Sequence, residues 1–143
     1  MAETTTVRVE RDFASAQAQV FDAWLDLKSA AQWLFATPDG RLMTAAIDPK
    51  EGGRFLFGER REGGDAEHYG RYLKIERPLT LIFEFSTRED LADATPVTVE
   101  VSDRGEGARV SLRHGEVPAD FAERTKAGWT SILDRLAEAL GEG

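Results

Sequence analysis

The stretch PADFAERTKAGWTSILDRLAEAL, residues 118–140, decides the fold of this chain. One set of its residues recurs at spacings of three and four, which places them on a single face of a helix. Asp120 followed by Glu123 resembles a capping box at the start of that helix. We therefore predict one long amphipathic helix that needs a surface to cover, with an inner face formed by Phe121, Thr125, Trp129, Ile132, Leu133, Leu136 and Leu140.

Gly128 stands beside Trp129 in the middle of this predicted helix. Glycine in a helix interior costs up to about 1 kcal/mol relative to alanine. We expect it to allow either the close approach of another backbone or free space in front of the tryptophan. The second alternative predicts a pocket between the helix and whatever it covers.

The rest of the chain reads as sheet with two short helices after the first strand. Alternation around Val7 and Val9 predicts that first strand, and apolar residues through Trp33 predict the two helices. From Leu42 to His114 about six runs of alternating residues are separated by turn residues. Consecutive strands favour hairpin neighbours. We predict an α+β fold with a strongly curved antiparallel sheet of six to seven strands wrapped on the C-terminal helix.

Composition and charge restrict the classes of partner. The 143 residues suit one domain, 1–143, with 41% hydrophobic residues and a net charge of −8. An acidic chain is poorly matched to nucleic acid or an anionic membrane surface. The absence of cysteine excludes disulfides, thiol catalysis and cysteine-bound metals. No apolar run resembles a signal peptide or membrane span, so we expect a cytoplasmic protein.

Several stretches in this order resemble the START-like superfamily, also called SRPBCC or Bet v-like. The resemblance runs from about Val7 to Leu140 and points to the branch of activator-of-heat-shock-ATPase homologues. It rests on AQVFDAW (18–24), Trp33, DPKEGGRF (48–55), GRYLKIERP (70–78), LIF (81–83), LRHG (112–115) and Gly128-Trp129 with the leucines that follow.

The resemblance implies a helix-grip fold with a cavity between the sheet and the C-terminal helix. Family members use such a cavity to bind small molecules, some act as cyclases or aromatases, and some stimulate a heat-shock chaperone. We expect a small apolar or aromatic ligand. Two alternatives stay open, a protein-interaction module that stimulates a chaperone ATPase in a stress response, and a cyclase-like or hydrolase-like enzyme using the same cavity.

Aromatic residues are the predicted walls of this cavity. Alternation places four phenylalanines of two strands on the face that the helix covers, and the resemblance places Trp33 and Phe35 at the cavity mouth. Aromatic rings also stabilise any ordinary core, so plain packing is the competing interpretation. The predicted walls are Trp33, Phe35, Phe55, Phe57, Phe83, Phe85, Trp129 and Leu133.

Three residues are predicted to supply polar contacts to a ligand: Tyr69, Arg71 and His114. Alternation with Leu73 and Ile75 places the first two on the inner face. His68, the other histidine, is expected to be exposed near a hairpin. Neither the histidines nor the carboxylates form a metal-ligating or catalytic pattern, so we predict no metal, cofactor or catalytic residue. We expect a monomer or weak homodimer.

Overall fold

A computed structural model describes residues 3–37 and 39–142. No helix within those ranges is long and apolar enough to cross a membrane. The chain order is β1, α1, α2, β2 to β7 and α3, with a 3₁₀ turn at Ala119–Phe121 before α3. The bounds are β1 Thr4–Phe13, α1 Gln17–Ala23, α2 Leu27–Trp33, β2 Arg41–Ile47, β3 Arg54–Arg61, β4 Gly64–Glu76, β5 Thr80–Ser86, β6 Thr95–Arg104, β7 Gly107–Pro118 and α3 Ala122–Ala139.

The strands form one antiparallel sheet in the order β1-β7-β6-β5-β4-β3-β2. β2 to β7 pair with their neighbours along the chain, as hairpin connections favour. β1 instead joins β7, and the two short helices bridge the distance to β2 at the opposite edge. The predicted α+β helix-grip fold, with two short helices after the first strand and one long helix at the end, is confirmed.

Helix α3 buries one face against the sheet, through Trp129, Leu133, Leu136 and Ala137. This confirms the amphipathic helix, but the predicted capping box is wrong. β7 continues to Pro118, and the chain then enters α3 through a 3₁₀ turn. Within the described residues no side chain caps the start of the turn or the start of α3. Phe121 lies in that turn and is 47% exposed, so it does not belong to the buried face.

Gly128 lies on the solvent side of α3, which corrects the expectation of a close approach or of space for a ligand. A Cβ atom built at this glycine would meet no atom of the described residues within 4 Å, apart from its chain neighbours and the nearby backbone of its own helix. Adjacent residues of an α-helix are about 100° apart around its axis. The glycine beside a buried Trp129 can therefore face water, and it carries no information on the pocket.

Candidate functional site

The centre of the space between the sheet and the helices is filled by an aromatic cluster around Phe35. The Phe35 ring centroid lies 4.5–6.0 Å from the centroids of its neighbours, within the range of favourable ring contacts. We define the aromatic cluster as Phe35 with the rings it touches and His114, which contacts two of them. Its members are Phe35, Phe55, Phe57, His68, Phe85, His114 and Trp129.

Strands β3 and β5 provide half of the rings around Phe35, on the inward faces that alternation predicted. Phe55 and Phe57 project inward from β3, and Phe85 does so from β5. Phe83 is buried behind them, edge-on to Phe55 at 5.4 Å. Gly70 lies opposite Phe55 in the β3–β4 pairing, and a Cβ atom there would collide with the Phe55 ring. A residue without a side chain at that position gives the ring its room.

Helix α3 and strand β7 close the cluster through a hydrogen bond between Trp129 and His114. The indole Nε1–H donates to His114 Nδ1 at 3.0 Å, so the imidazole proton resides on Nε2, which donates to Thr95 Oγ1 at 2.7 Å. Burial lowers the pKa of His114 to about 4. His114 faces inward as predicted, but it is neutral and both of its nitrogens already have partners.

Phe35 holds its central position with an unusual backbone. It follows the last residues of α2 and has a φ of +57°, in the left-handed region. Helices commonly end with a left-handed residue, but that residue is usually glycine because a Cβ atom makes this conformation unfavourable by about 1–2 kcal/mol. A buried phenylalanine in this conformation persists only where surrounding contacts hold it, and such strain is concentrated at functional sites.

A buried carboxylate holds the segment that carries Phe35. Glu59 of β3 is 5% exposed and accepts hydrogen bonds from the Thr37 backbone N–H at 3.1 Å and from Thr37 Oγ1 at 2.7 Å. Arg61 Nε donates to the same carboxylate at 2.7 Å, and Arg61 Nη2 donates to the Phe35 carbonyl oxygen at 3.2 Å. We call Glu59, Arg61 and Thr37 the Glu59 cluster. It adds polar attachment of the segment to the apolar packing of the Phe35 ring.

The charge of Glu59 is stabilised by these donors. Burial alone favours the protonated acid, but the hydrogen bonds from Arg61 and Thr37 outweigh it and lower the pKa of Glu59. Gly40 passes directly over the carboxylate, where a Cβ atom would clash with it. Gly40 therefore lies against the same carboxylate that Thr37 contacts.

His68 is a member of the cluster that the sequence analysis wrongly expected to be exposed. Its ring stacks on Phe35 with centroids 4.5 Å apart and planes 6° apart. Burial and the Arg61 guanidinium lower its pKa to about 4, so the ring is neutral. Within the described residues its Nδ1 atom is buried without a hydrogen-bond partner. Its pairing with Phe57 across β3 and β4 was the signal that could have placed it inside.

Tyr69 and Arg71 point away from the cluster, so their predicted inner-face position is wrong. Arg71 is exposed, and the Tyr69 hydroxyl donates to Glu67 at 3.0 Å outside the core. The pairing of β4 with β5 shifts at Leu73, which adds one residue to the strand. A bulge of this kind reverses which side chains face inward. Tyr72, on the inner side, is buried in place of its neighbours.

Trp33 and Leu133 are buried outside the aromatic cluster. Trp33 packs edge-to-face on Trp24 with centroids 4.7 Å apart and is fully buried, so it does not line a cavity mouth. Leu133 lies in the floor of a groove of about 790 Å³ between β1 and α3. Charged residues rim that groove, and two of its arginines already pair with acids at 2.9 Å and 2.6 Å: Arg11 with Asp134, and Arg113 with Glu100.

The chemistry available in the aromatic cluster is that of stacking and hydrogen bonding. Both histidines are neutral at pH 7, and beside the cluster the buried Glu59 carboxylate is paired with the half-buried Arg61. Within residues 3–37 and 39–142 no three histidine, aspartate or glutamate side chains come together as metal ligands. The arrangement presents stacked aromatic faces, with the Arg61 guanidinium beside them as a hydrogen-bond donor.

Comparison with solved structures shows the same fold in several bacterial proteins. The AHSA1-like protein from Aeromonas hydrophila is 22% identical, with 96% of this chain and 93% of that chain covered and a TM-score of 0.82. A protein from Chromobacterium violaceum is also 22% identical, covering 93% and 94%, with a TM-score of 0.82. CalU16 from Micromonospora echinospora is 18% identical, covering 97% and 85%, with a TM-score of 0.71.

The family comparison covers nearly the whole chain. No curated protein matches the sequence. The model of the family described as "Activator of Hsp90 ATPase homolog 1-like protein" matches residues 14–141, from the end of β1 to just past α3. The matched range includes the aromatic cluster and the Glu59 cluster. The chain belongs to the activator of Hsp90 ATPase homolog 1-like family.

Proposed function

We propose that this protein binds a small aromatic molecule in the aromatic cluster, and that the Phe35 side chain occupies the ligand's place in the conformation described above. The observation that carries the proposal is the position of Phe35. Its ring stacks among the cluster rings although its backbone is in the left-handed region. A preformed site with a displaceable occupant requires rigid walls and a strained residue between them. Here the strands and α3 supply the walls, and Phe35 is the strained residue.

The attachment of Phe35 supports displacement. Strands β3 and β5 and helix α3 hold the walls through regular structure, whereas the segment after α2 is attached through the Glu59 cluster. When the segment moves out, Glu59, Arg61 and Thr37 can form hydrogen bonds to water instead. The net free energy lost for each broken bond is therefore small compared with the energy of that bond in the absence of water. An incoming aromatic ring then replaces the buried surface that Phe35 gives up.

Arene titrations of the unaltered protein and two matched variants test the proposal. Thr37→Val removes the hydroxyl that donates to Glu59, and Thr130→Val removes a comparable hydroxyl bond on the exposed side of α3. Toluene and indole would be titrated by calorimetry, with tryptophan fluorescence as a second signal because Trp129 contacts Phe35.

We expect saturable one-to-one binding to the unaltered protein and severalfold tighter binding to Thr37→Val. The apparent affinity rises because a larger fraction of molecules has Phe35 displaced. Thr130→Val should bind like the unaltered protein. Absence of saturable binding to the folded protein, or equal affinities in the two valine variants, would contradict displacement of Phe35.

Docking of a partner protein is a second candidate, favoured by the β2 edge. Leu42 and Met43 are 44% and 48% exposed on a strand whose outer edge has no partner in the sheet. The pairing of β2 with β3 shifts its register at Met43. At such a bulge two consecutive side chains, here Leu42 and Met43, can both reach solvent. We would measure stimulation of an Hsp90 ATPase by the protein. Loss of stimulation on Leu42→Ser/Met43→Ser supports this surface, and no stimulation by the unaltered protein rejects the candidate.

A further inference from the structure

Phe35 makes two kinds of contact at once, and together they indicate the shape of a ligand that could replace it. Its ring lies in the aromatic cluster, and its own carbonyl oxygen accepts a hydrogen bond from Arg61 Nη2 at 3.2 Å. The ring and the carbonyl carbon of any phenylalanine are separated by two saturated carbons, Cβ and Cα. The occupant of the site therefore has the shape of an arylpropionyl group.

The charges beside the Phe35 carbonyl favour a neutral ligand oxygen over a ligand carboxylate at this position. Arg61 Nε is paired with the Glu59 carboxylate at 2.7 Å, so the pair has no net charge. His68, which stacks on Phe35, is neutral. A second carboxylate at Arg61 Nη2 would lie near the first and be repelled by it. A neutral carbonyl oxygen accepts the same hydrogen bond without that repulsion.

We infer that the ligand carries a neutral carbonyl group, as in an amide, ester or ketone, two saturated carbons from an aromatic ring. The inference rests on the proposed function, because the ligand must first displace Phe35. The ring takes the position of the Phe35 ring between His68 and Trp129. The ligand's carbonyl oxygen then accepts from Arg61 Nη2 in place of the Phe35 carbonyl.

Three probes of matched shape test this assignment: propylbenzene, 3-phenylpropionamide and 3-phenylpropionate. The readout is the ratio of amide affinity to propylbenzene affinity within each variant, because changes in the ring site alone cancel in that ratio. Arg61→Met removes the donor, and Arg60→Met is the matched control on a neighbouring exposed arginine. If unpaired Glu59 prevents Arg61→Met from folding, Glu59→Gln/Arg61→Met removes both charges together.

We expect the ratio to fall at least about tenfold when Arg61 is removed, as for loss of a hydrogen bond from a charged donor, and to stay unchanged in Arg60→Met. The amide should bind the unaltered protein more tightly than the carboxylate does. An unchanged ratio in Arg61→Met overturns the carbonyl assignment while propylbenzene binding still supports the aromatic site. Tighter binding of 3-phenylpropionate than of 3-phenylpropionamide overturns the inference that the ligand's carbonyl group is neutral. Failure of all three probes to bind overturns the proposed function itself.

Discussion

Replacing Phe35 separates two properties of this residue, its buried ring and its left-handed backbone. Phe35→Ala removes the ring from contacts with its neighbours at 4.5–6.0 Å. The side chain is only 6% exposed, so the substitution should lower the free energy of unfolding by about 3–5 kcal/mol. At roughly 3 °C per kcal/mol for a domain of this size, the melting temperature should fall by about 10 °C.

Phe35→Gly should be more stable than Phe35→Ala, by about 1 kcal/mol. Glycine usually destabilises relative to alanine, because it has more conformational freedom in the unfolded chain. At a φ of +57° that order reverses, since alanine keeps the Cβ penalty of the left-handed region and glycine does not. The same pair of changes at Phe83, a buried residue of β5 without a positive φ, provides the matched control.

Urea unfolding followed by circular dichroism measures all four variants, and the slopes must agree for the midpoints to be compared. At position 83 alanine should be the more stable replacement. If alanine is also the more stable replacement at position 35, the left-handed conformation of Phe35 is wrong. The claim of a strained occupant then fails with it. Added toluene should raise the midpoint of Phe35→Ala, because a ligand that binds only the folded state stabilises it.

Three further predictions concern other parts of the domain. Gly128→Ala should raise the free energy of unfolding by about 0.5–1 kcal/mol, because this exposed helical position has free space for a methyl group; urea unfolding that shows destabilisation would contradict the exposed position. Tyr72→Phe should stabilise by about 1 kcal/mol, since the described structure gives that buried hydroxyl no partner, whereas Tyr69→Phe on the exposed side should change stability little. His68 and His114 have pKa values of about 4 when folded, against 6.5 unfolded, so the unfolded chain binds more protons between these values. Stability measured from pH 7 to pH 4.5 should therefore fall by up to about 1.4 kcal/mol per pH unit for each histidine, and a flat profile would contradict their burial.

The fold was predictable because its signals repeat along the chain. Leucine and tryptophan spacing defined α3, and alternation defined strands such as β3, where Phe55 and Phe57 face inward as predicted. Both signals follow from periods of 3.6 and 2 residues, which many positions reinforce. A single misleading residue, such as Gly128, could therefore suggest a false pocket without disturbing the prediction of the helix.

The candidate site depends on single exceptions to these periods, and a periodic pattern of residues does not reveal where such an exception falls. One extra residue at Leu73 reversed the faces of β4, which put His68 inside and Tyr69 and Arg71 outside. Nothing in the composition of the segment after Trp33 indicates that Phe35 adopts a left-handed backbone, since phenylalanine is disfavoured there. Glu59 and Thr37 are 22 residues apart, and only the folded sheet brings them together.

The energetics of opening explain why an aromatic ligand, rather than water, is the natural replacement for Phe35. Moving the ring out exposes apolar surface and leaves a cavity, a loss comparable to the value of about 3–5 kcal/mol expected for Phe35→Ala. Water entering the aromatic cluster would return little of that loss, because its walls are aromatic rings and both nitrogens of His114 already have partners. An incoming ring buries comparable surface, so the two ring terms nearly cancel. Relief of the left-handed backbone of Phe35 favours exchange by about 1 kcal/mol, and the hydrogen bonds of the Glu59 cluster oppose it. On the proposed function, we therefore expect this site to stay closed against solvent and to open for a ring that fits it.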